Sequence, residues 1–416
     1  MIDPVITVAP GSRRGLRTVM GGGVVALIGL IGWWSLMALR TPQPAALRRE
    51  AEHAAARGRW QEAGELSRRL NVLDPHNGPA WLMQARAAQQ QGDMAEAARI
   101  LAVVPADTEQ RATADLALLE LQLGPLNSPL AAEQTCRAML QRDPKSAVAH
   151  QRLIFLYAIT LRRQELIQQA RRAMDLECEP IEAYVYLFFA DSLHFSNGTE
   201  LNRRWRAANS NAELFMVAEA VSMATALEGG APRDDIEVVR RIRKMADDKD
   251  QFLAELFARY PQNLELLAWH LDRAVARGDV NGAVALLRKL PPAADDDNRF
   301  WRFAGWTHVQ LGREERALAS YQHALELHPL DWNTRHFLAA LRRQRREFDE
   351  VHRLEQLVQA AHALRRALDV LPNARAAPPV LLEQLADYAG QCGDDQFARA
   401  LRRHLQQHIP DHSPAS

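Results

Sequence analysis

Residues Asn298 to Asp331 constrain what this chain can fold into more than any other stretch. Over 34 residues the order is Trp301, Ala304-Gly305, Gly312, Ala317, Tyr321, Ala324, Leu327 and Pro329. Apolar residues recur there at helical spacing, which predicts two amphipathic helices, Asn298 to Leu311 and Glu314 to Leu327. Gly312 between them can take the positive backbone angles of a tight turn. Gly305, Ala317 and Ala324 are small where two antiparallel helices must approach closely, while Trp301 and Tyr321 supply bulk to fill the space between successive hairpins. Pro329 ends the second helix. One such hairpin cannot bury its apolar face alone, so neighbours on both sides are implied.

The phase of that unit numbers the weaker ones. Gly58, Trp60, Ala63, Leu70 and Asp74-Pro75 hold the later positions of a first unit, and Gly92, Met94, Ala97, Leu101 and Val104 follow with the glycines 34 apart. Between Thr113 and Pro144 the fit loosens around a longer turn, Gly124-Pro125 to Pro129, and Ala147 to Cys178 restores it. From Glu179 to Pro261 the period is lost although the pattern stays helical; Ile181 to Ala190 is apolar on nearly all sides and reads as a buried helix. The frame returns over Leu264 to Asp297, where Gly278 stands 34 before Gly312, and continues over Trp332 to Arg365. Acidic Asp295-Asp296-Asp297 directly before a helix favours its N-terminus rather than a cation. The expected organisation is therefore repeats over 45–178, diverged helical repeats over 179–261, repeats over 262–365, a C-terminal hairpin over 366–410 whose outer helix is polar like a solenoid cap, and a disordered tail, 411–416.

The order and spacing of Trp301, Gly305, Gly312, Ala317, Tyr321, Ala324 and Pro329 resemble the tetratricopeptide repeat family. The resemblance implies an all-α, right-handed solenoid of helical hairpins. It also implies that positions 2, 5, 9 and 12 of each unit line a concave groove: Arg86 and Gln89, Gln151 and Phe155, Arg299, Arg302 and Trp306, and His336 and Arg343. Trp301 is then expected to pack and Trp306 to face the groove. Arginine and tryptophan in a groove suit protein or peptide partners with acidic or aromatic groups or a C-terminal carboxylate. The lysine and asparagine set of the family's chaperone-tail clamp is absent.

Ahead of the repeats, residues 1–18 form a polar tail with Arg13, Arg14 and Arg17, and Val19 to Leu39 runs 21 residues without a charge. At 1.5 Å per residue that is roughly 32 Å, enough to cross a bilayer. Trp33 and Trp34 near its end and Arg40 after it suit an interface. Residues 19–39 are thus expected to be one transmembrane helix, longer than a cleaved signal's apolar region, with 40–44 as linker. A short basic tail before the first apolar segment favours a C-terminal domain outside the cytoplasm, on the periplasmic side in a bacterium; Arg40, Arg48, Arg49, Arg57 and Arg59 after the span oppose it. Gly22 and Ala26, four apart, would permit weak self-association of the span.

Composition narrows the function. The 51 basic and 51 acidic residues balance, which argues against nucleic acid as a partner. Cys136, Cys178 and Cys392 are widely separated, with no disulfide or zinc pattern; Cys136 falls where packing wants a small residue. No HExxH, phosphate-binding glycine loop, GxSxG or Cys-His pair is present, and His404 and His408 have no third ligand. No cofactor or metal is expected, and the chain reads as a membrane-anchored scaffold or adaptor rather than an enzyme. The alternative is a cell-envelope enzyme or accessory subunit with its site in 179–261.

Overall fold

The computed structural model describes residues 43–193, 198–209, 213–228 and 249–408, and all regular structure among them is helical. The expected membrane helix 19–39 and the tails 1–18 and 411–416 lie outside the described residues. Among the described residues no helix is long and apolar enough to cross a membrane. Two units divide the chain between Ala117 and Leu118.

The first unit holds α1 (Pro44–Ala56), α2 (Trp60–Leu73), α3 (Gly78–Gln90), α4 (Met94–Ala102) and the start of α5 (Arg111–Leu123), within which the division falls. Asn77 and Asp93 accept backbone N–H bonds at the starts of α3 and α4, which is why those helices begin there. Leu47, Leu70 and Ala80 are buried together between the hairpins. Arg111 does the capping at the other end of α4: buried and paired with Asp115, it donates to the carbonyls of Leu101, Ala102 and Val104.

The second unit continues with α6 (Pro129–Arg142), α7 (Ala147–Ile159), α8 (Arg163–Asp175), α9 (Ile181–Phe188), α10 (Gly198–Ala208), α11 (Glu213–Glu228) and α12, described over 249–259. Then come α13 (Leu264–Ala276), α14 (Val280–Leu287), α15 (Asn298–Gln310), α16 (Glu314–Leu327), α17 (Trp332–Gln344), α18 (Phe348–Asp369), α19 (Pro379–Gln391) and α20 (Asp395–His408). Asn263, Asp279, Asp297 and Asp331 cap α13, α14, α15 and α17 through their side chains, so Asp297 is a helix cap, as the acidic run predicts. Cys136 is fully buried, and none of the three cysteines forms a disulfide among the described residues.

Positive φ angles mark the repeat phase through both units. They occur at Gly58, Gly92, Asn127 and Leu161, then at Gly278, Gly312 and Arg346, spaced 34 or 35 residues apart within each series. Where glycine is missing, Asn127, Leu161 and Arg346 take the left-handed angle themselves, so the turn is dictated by the hairpins it joins. In the template unit, a Cβ on Gly305 would lie 2.4 Å from a ring carbon of Tyr321, the close approach that its smallness predicts.

The second unit departs from a simple stack, in which each hairpin touches only its neighbours. Its last hairpin, α19–α20, returns to α8 and α9. Asp394 accepts from Arg171 at 2.6 Å, Gln396 donates to Asp175 at 2.6 Å and Arg403 to Glu179 at 3.1 Å. Helix α9 is the hub: Tyr184 and Phe188 are fully buried, Tyr184 meeting Phe397 edge-on at 5.2 Å and Phe188 lying 5.0 Å from Trp332 and 5.8 Å from Tyr388. The apolar character of 181–190 is thus explained in part by these packing partners, which bury Ala183, Tyr184, Val185, Leu187 and Phe188. On the C-terminal helix Arg399 and Arg402 are exposed, while Phe397, Ala400 and Leu401 turn an apolar stripe into the core of the second unit. One expectation is corrected. The boundary at 365/366 falls inside α18, which runs unbroken for 22 residues.

Candidate functional site

A cleft of 710 Å³ opens where the first helices of two consecutive hairpins meet the connection between α18 and α19. Helix α7 contributes Phe155. Helix α9 and the residues after it contribute Glu182, Val185, Tyr186, Phe189, Ser192 and Leu193; the far wall is Leu368 to Arg375. The register explains this lining. Unit four begins at Ala147, so Phe155 is its ninth residue; one period later the second, fifth, ninth and twelfth residues of the next unit are Glu182, Val185, Phe189 and Ser192. All four line the cleft. A helix repeats its facing every three to four residues, so these four positions share one side of the α9 segment.

The walls mix aromatic and aliphatic side chains with polar ones, Glu182, Ser192, Asp369, Asn373 and Arg375 among them. Glu182 Oε1 accepts from Gln151 Nε2 of α7 at 3.0 Å and from Arg375 Nε of the far wall at 2.7 Å. Glu182 Oε2 is buried and has no hydrogen-bond partner among the described residues. Burial, and next the Glu182 carboxylate, push the Tyr186 phenol up to about 12, with Arg375 opposing, so it keeps its proton at neutral pH. A concave site of mixed apolar and polar lining offers both contact area and orienting groups to a chain segment or small molecule. No group of three or more His, Cys, Asp or Glu among the described residues is arranged to hold a metal ion.

Of the groove residues expected from the sequence, Phe155 lines the cleft and Gln151 is tied to it by its hydrogen bond to Glu182. Arg86 is exposed in the first unit and stacks 5.6 Å from the Trp60 ring, with Gln89 half-buried on the same helix. His336 and Arg343 are exposed on α17, and Arg343 pairs with Glu355.

Arg299, Arg302 and Trp306 sit elsewhere than expected. Arg299 donates to Asp297 at 2.7 Å and to Glu265 at 2.6 Å, and Arg302 donates to Asp191 and, at 2.6 Å, to Asp331; both arginines are buried. Burial lowers both guanidinium pKa values but is outweighed, by Asp297 and Glu265 for Arg299 and by Asp331 and Asp191 for Arg302, so both stay charged. Arg163 joins them through Glu265 at 3.1 Å and the carbonyl of Ala190. Trp306 is 8% exposed, packed in a core with Leu267, Leu271, Phe300 and Phe303, whereas Trp301 is half-buried, donating to the Asp295 carbonyl and lying edge-on to His323 at 4.5 Å. Trp306 is thus buried rather than facing a groove, while Trp301 packs as expected but only in part. Trp306 is covered by Leu267 and Leu271 of the preceding hairpin, and Glu265, one repeat upstream, pairs with Arg299. Asp191, 111 residues from Arg302, is brought against the same α15 face by the closure of the second unit.

Reasoning from the sequence misses Glu182, Tyr186, Phe189 and Arg375. Glu182 and Phe189 are within its reach: carrying the period one unit past Cys178 places both at groove positions. Tyr186 falls outside those positions, and Arg375 sits in a proline-bounded loop with no sequence signal.

A family model described as "Tetratricopeptide repeat" matches residues 54–120. No curated protein sequence matches the chain. Among solved structures, the chain is similar to the APC/C hetero-tetramer Cut9-Hcn1 (13% identity, 89% of this chain and 80% of that one, TM-score 0.31). It is also similar to yeast Tom70 (12% identity, 92% and 93%, TM-score 0.26). A third is a tetratricopeptide repeat protein from Parabacteroides merdae ATCC 43184 (13% identity, 70% and 98%, TM-score 0.25). Those scores carry no argument; the assignment rests on the repeat match and the capped hairpins. The chain therefore carries tetratricopeptide repeats, matched over residues 54–120, in an all-α, solenoid-like fold suited to protein–protein interaction.

Proposed function

We propose that this protein is a non-enzymatic scaffold that is held to a membrane by residues 19–39 and binds a partner protein or peptide in the cleft between α7, α9 and the α18–α19 connection. The observation that carries this reading is the lining itself. Phe155, Val185, Tyr186 and Phe189 present apolar and aromatic surface from the first-helix face of two successive hairpins, at a volume that admits several side chains of an extended segment. His336 and Arg343 in the second unit and, separately, Arg86 and Gln89 in the first are exposed or half-buried on first helices and remain candidates for partner contact. The membrane assignment rests on the 21 uncharged residues Val19 to Leu39. The same basic tail before that span favours a domain outside the cytoplasm.

Phe189→Asp puts a charge into the cleft without touching the α9–α20 packing. Proteins that co-purify with the chain from detergent-solubilised membranes are expected to be lost with Phe189→Asp and retained with Phe348→Asp, a control at an exposed phenylalanine outside the cleft. Equal recovery with both variants refutes the site. Protease protection of the C-terminal domain in spheroplasts tests the orientation, and carbonate extraction of the chain from membranes tests the anchor.

A further inference from the structure

The cleft contains a cationic group from its own far wall, and its fit is poor. Arg375 reaches Glu182 with Nε alone, where a guanidinium can make two parallel bonds to a carboxylate, and its side chain is 63% exposed against 16% for Glu182. An ion pair with so exposed a partner contributes little and exchanges readily. Glu182 Oε2 meanwhile is buried with no partner, and a carboxylate oxygen left in that state retains most of its desolvation cost. Gln151, a neutral donor, occupies the other approach to Oε1. The Glu182 carboxylate is therefore anchored from α7 and covered from the connection by an arginine that satisfies half of it.

We propose, building on the cleft as a peptide site, that Arg375 is a built-in stand-in for a ligand guanidinium: the partner segment carries an arginine next to an apolar side chain, and binding displaces Arg375 from Glu182. The ligand arginine meets Glu182 side-on, and its apolar neighbour lies on Phe155 and Phe189. This reverses the acidic preference that the composition of the expected groove suggests, because the arginines behind that preference, Arg299 and Arg302, are already neutralised inside the fold.

The test is fluorescence anisotropy of the full chain in detergent with two fluorescein-labelled peptides, Gly-Phe-Arg-Leu-Gly-amide and the same peptide with glutamate in place of arginine. The arginine peptide is expected to bind at least about tenfold tighter than the glutamate peptide, and Glu182→Gln to remove about that factor. Arg375→Ala, in an exposed loop where folding is not at stake, is expected to tighten the arginine peptide about threefold by removing the competitor. Weaker or unchanged binding in Arg375→Ala, or no effect of Glu182→Gln, overturns the proposal. A glutamate peptide that binds equally or better, and is lost with Phe189→Asp, overturns it while leaving the cleft as a peptide site. Binding of neither peptide removes both.

Discussion

Replacing Arg302 by methionine is the sharpest probe of how the second unit holds together. The guanidinium donates to Asp191 and Asp331, and the three side chains are only 7%, 5% and 0% exposed. Asn298 adds one amide that reaches both carboxylates at 2.9 Å, and Asp331 also takes the N–H of Thr334 at 2.9 Å as the cap of α17. Methionine fills much of the same volume but leaves two buried carboxylates with neutral donors alone, the Asn298 amide between them and Thr334 at Asp331. Removing one partner of a buried pair costs about 3–5 kcal/mol, because the remaining charge is uncompensated. The Asp191–Arg302 contact joins residues 111 apart, so the loss falls on the closure of the unit rather than on one hairpin. In urea denaturation followed by tryptophan fluorescence, a slope of about 2–3 kcal/mol/M puts the midpoint on the order of 1–2 M lower. The double variant Arg302→Met, Asp191→Leu removes one orphaned charge and should recover a large part of the loss, since buried pairs replaced by apolar groups are often near neutral. A single-variant shift below about 0.3 M, or a double variant no more stable than the single, refutes the reasoning.

Other perturbations test other parts of the same picture. Trp306→Ala is expected to cost about 3–5 kcal/mol and Trp301→Ala under about 2 kcal/mol, read by the same denaturation series. Gly305→Ala forces a methyl against the buried Tyr321 ring and should cost about 1–3 kcal/mol, with Tyr321→Leu in the same chain relieving part of it. Stability should fall as pH drops below about 6.5: burial pushes the His328 imidazole down, so the unfolded chain takes up a proton that the folded one refuses. His328→Leu should flatten the pH 7 to 5 profile, leaving the slope from His150 and His270, which burial shifts in the same sense. At lower pH, Asp331 is held at about 2: burial raises it but is outweighed by Arg302 and Thr334. Its contribution, present above the ordinary carboxylate value near 3.8, is lost as pH falls from there towards 2.

Part of the candidate site is legible in the residue order alone. Gln151 and Phe155 follow from the phase of the Asn298–Asp331 unit, and that phase, extended once, also places Glu182 and Phe189. The extension is hard to see from residue types because α9 is apolar on every side, which hides the amphipathic stripe that normally reports a groove. Arg375 is invisible to such reasoning: it enters the cleft only because α18 runs past its expected end and the following connection returns to α9.

What the sequence determines by itself is local: helix content, the bounds of α15 and α16 to within a residue, the turns at Gly58, Gly92, Gly278 and Gly312, and the close approach at Gly305. These depend on contacts between residues fewer than 40 apart, and the 34-residue period records them directly. Which helix faces water and which meets another part of the chain is decided only by tertiary structure. The α15 face bearing Arg299, Arg302 and Trp306 has the same pattern whether it lines an open groove or is covered. It is covered because Asp191 and Glu265 supply the carboxylates that make burial of two guanidinium groups tolerable. Periodicity shows that a face exists, and only the fold shows what lies against it.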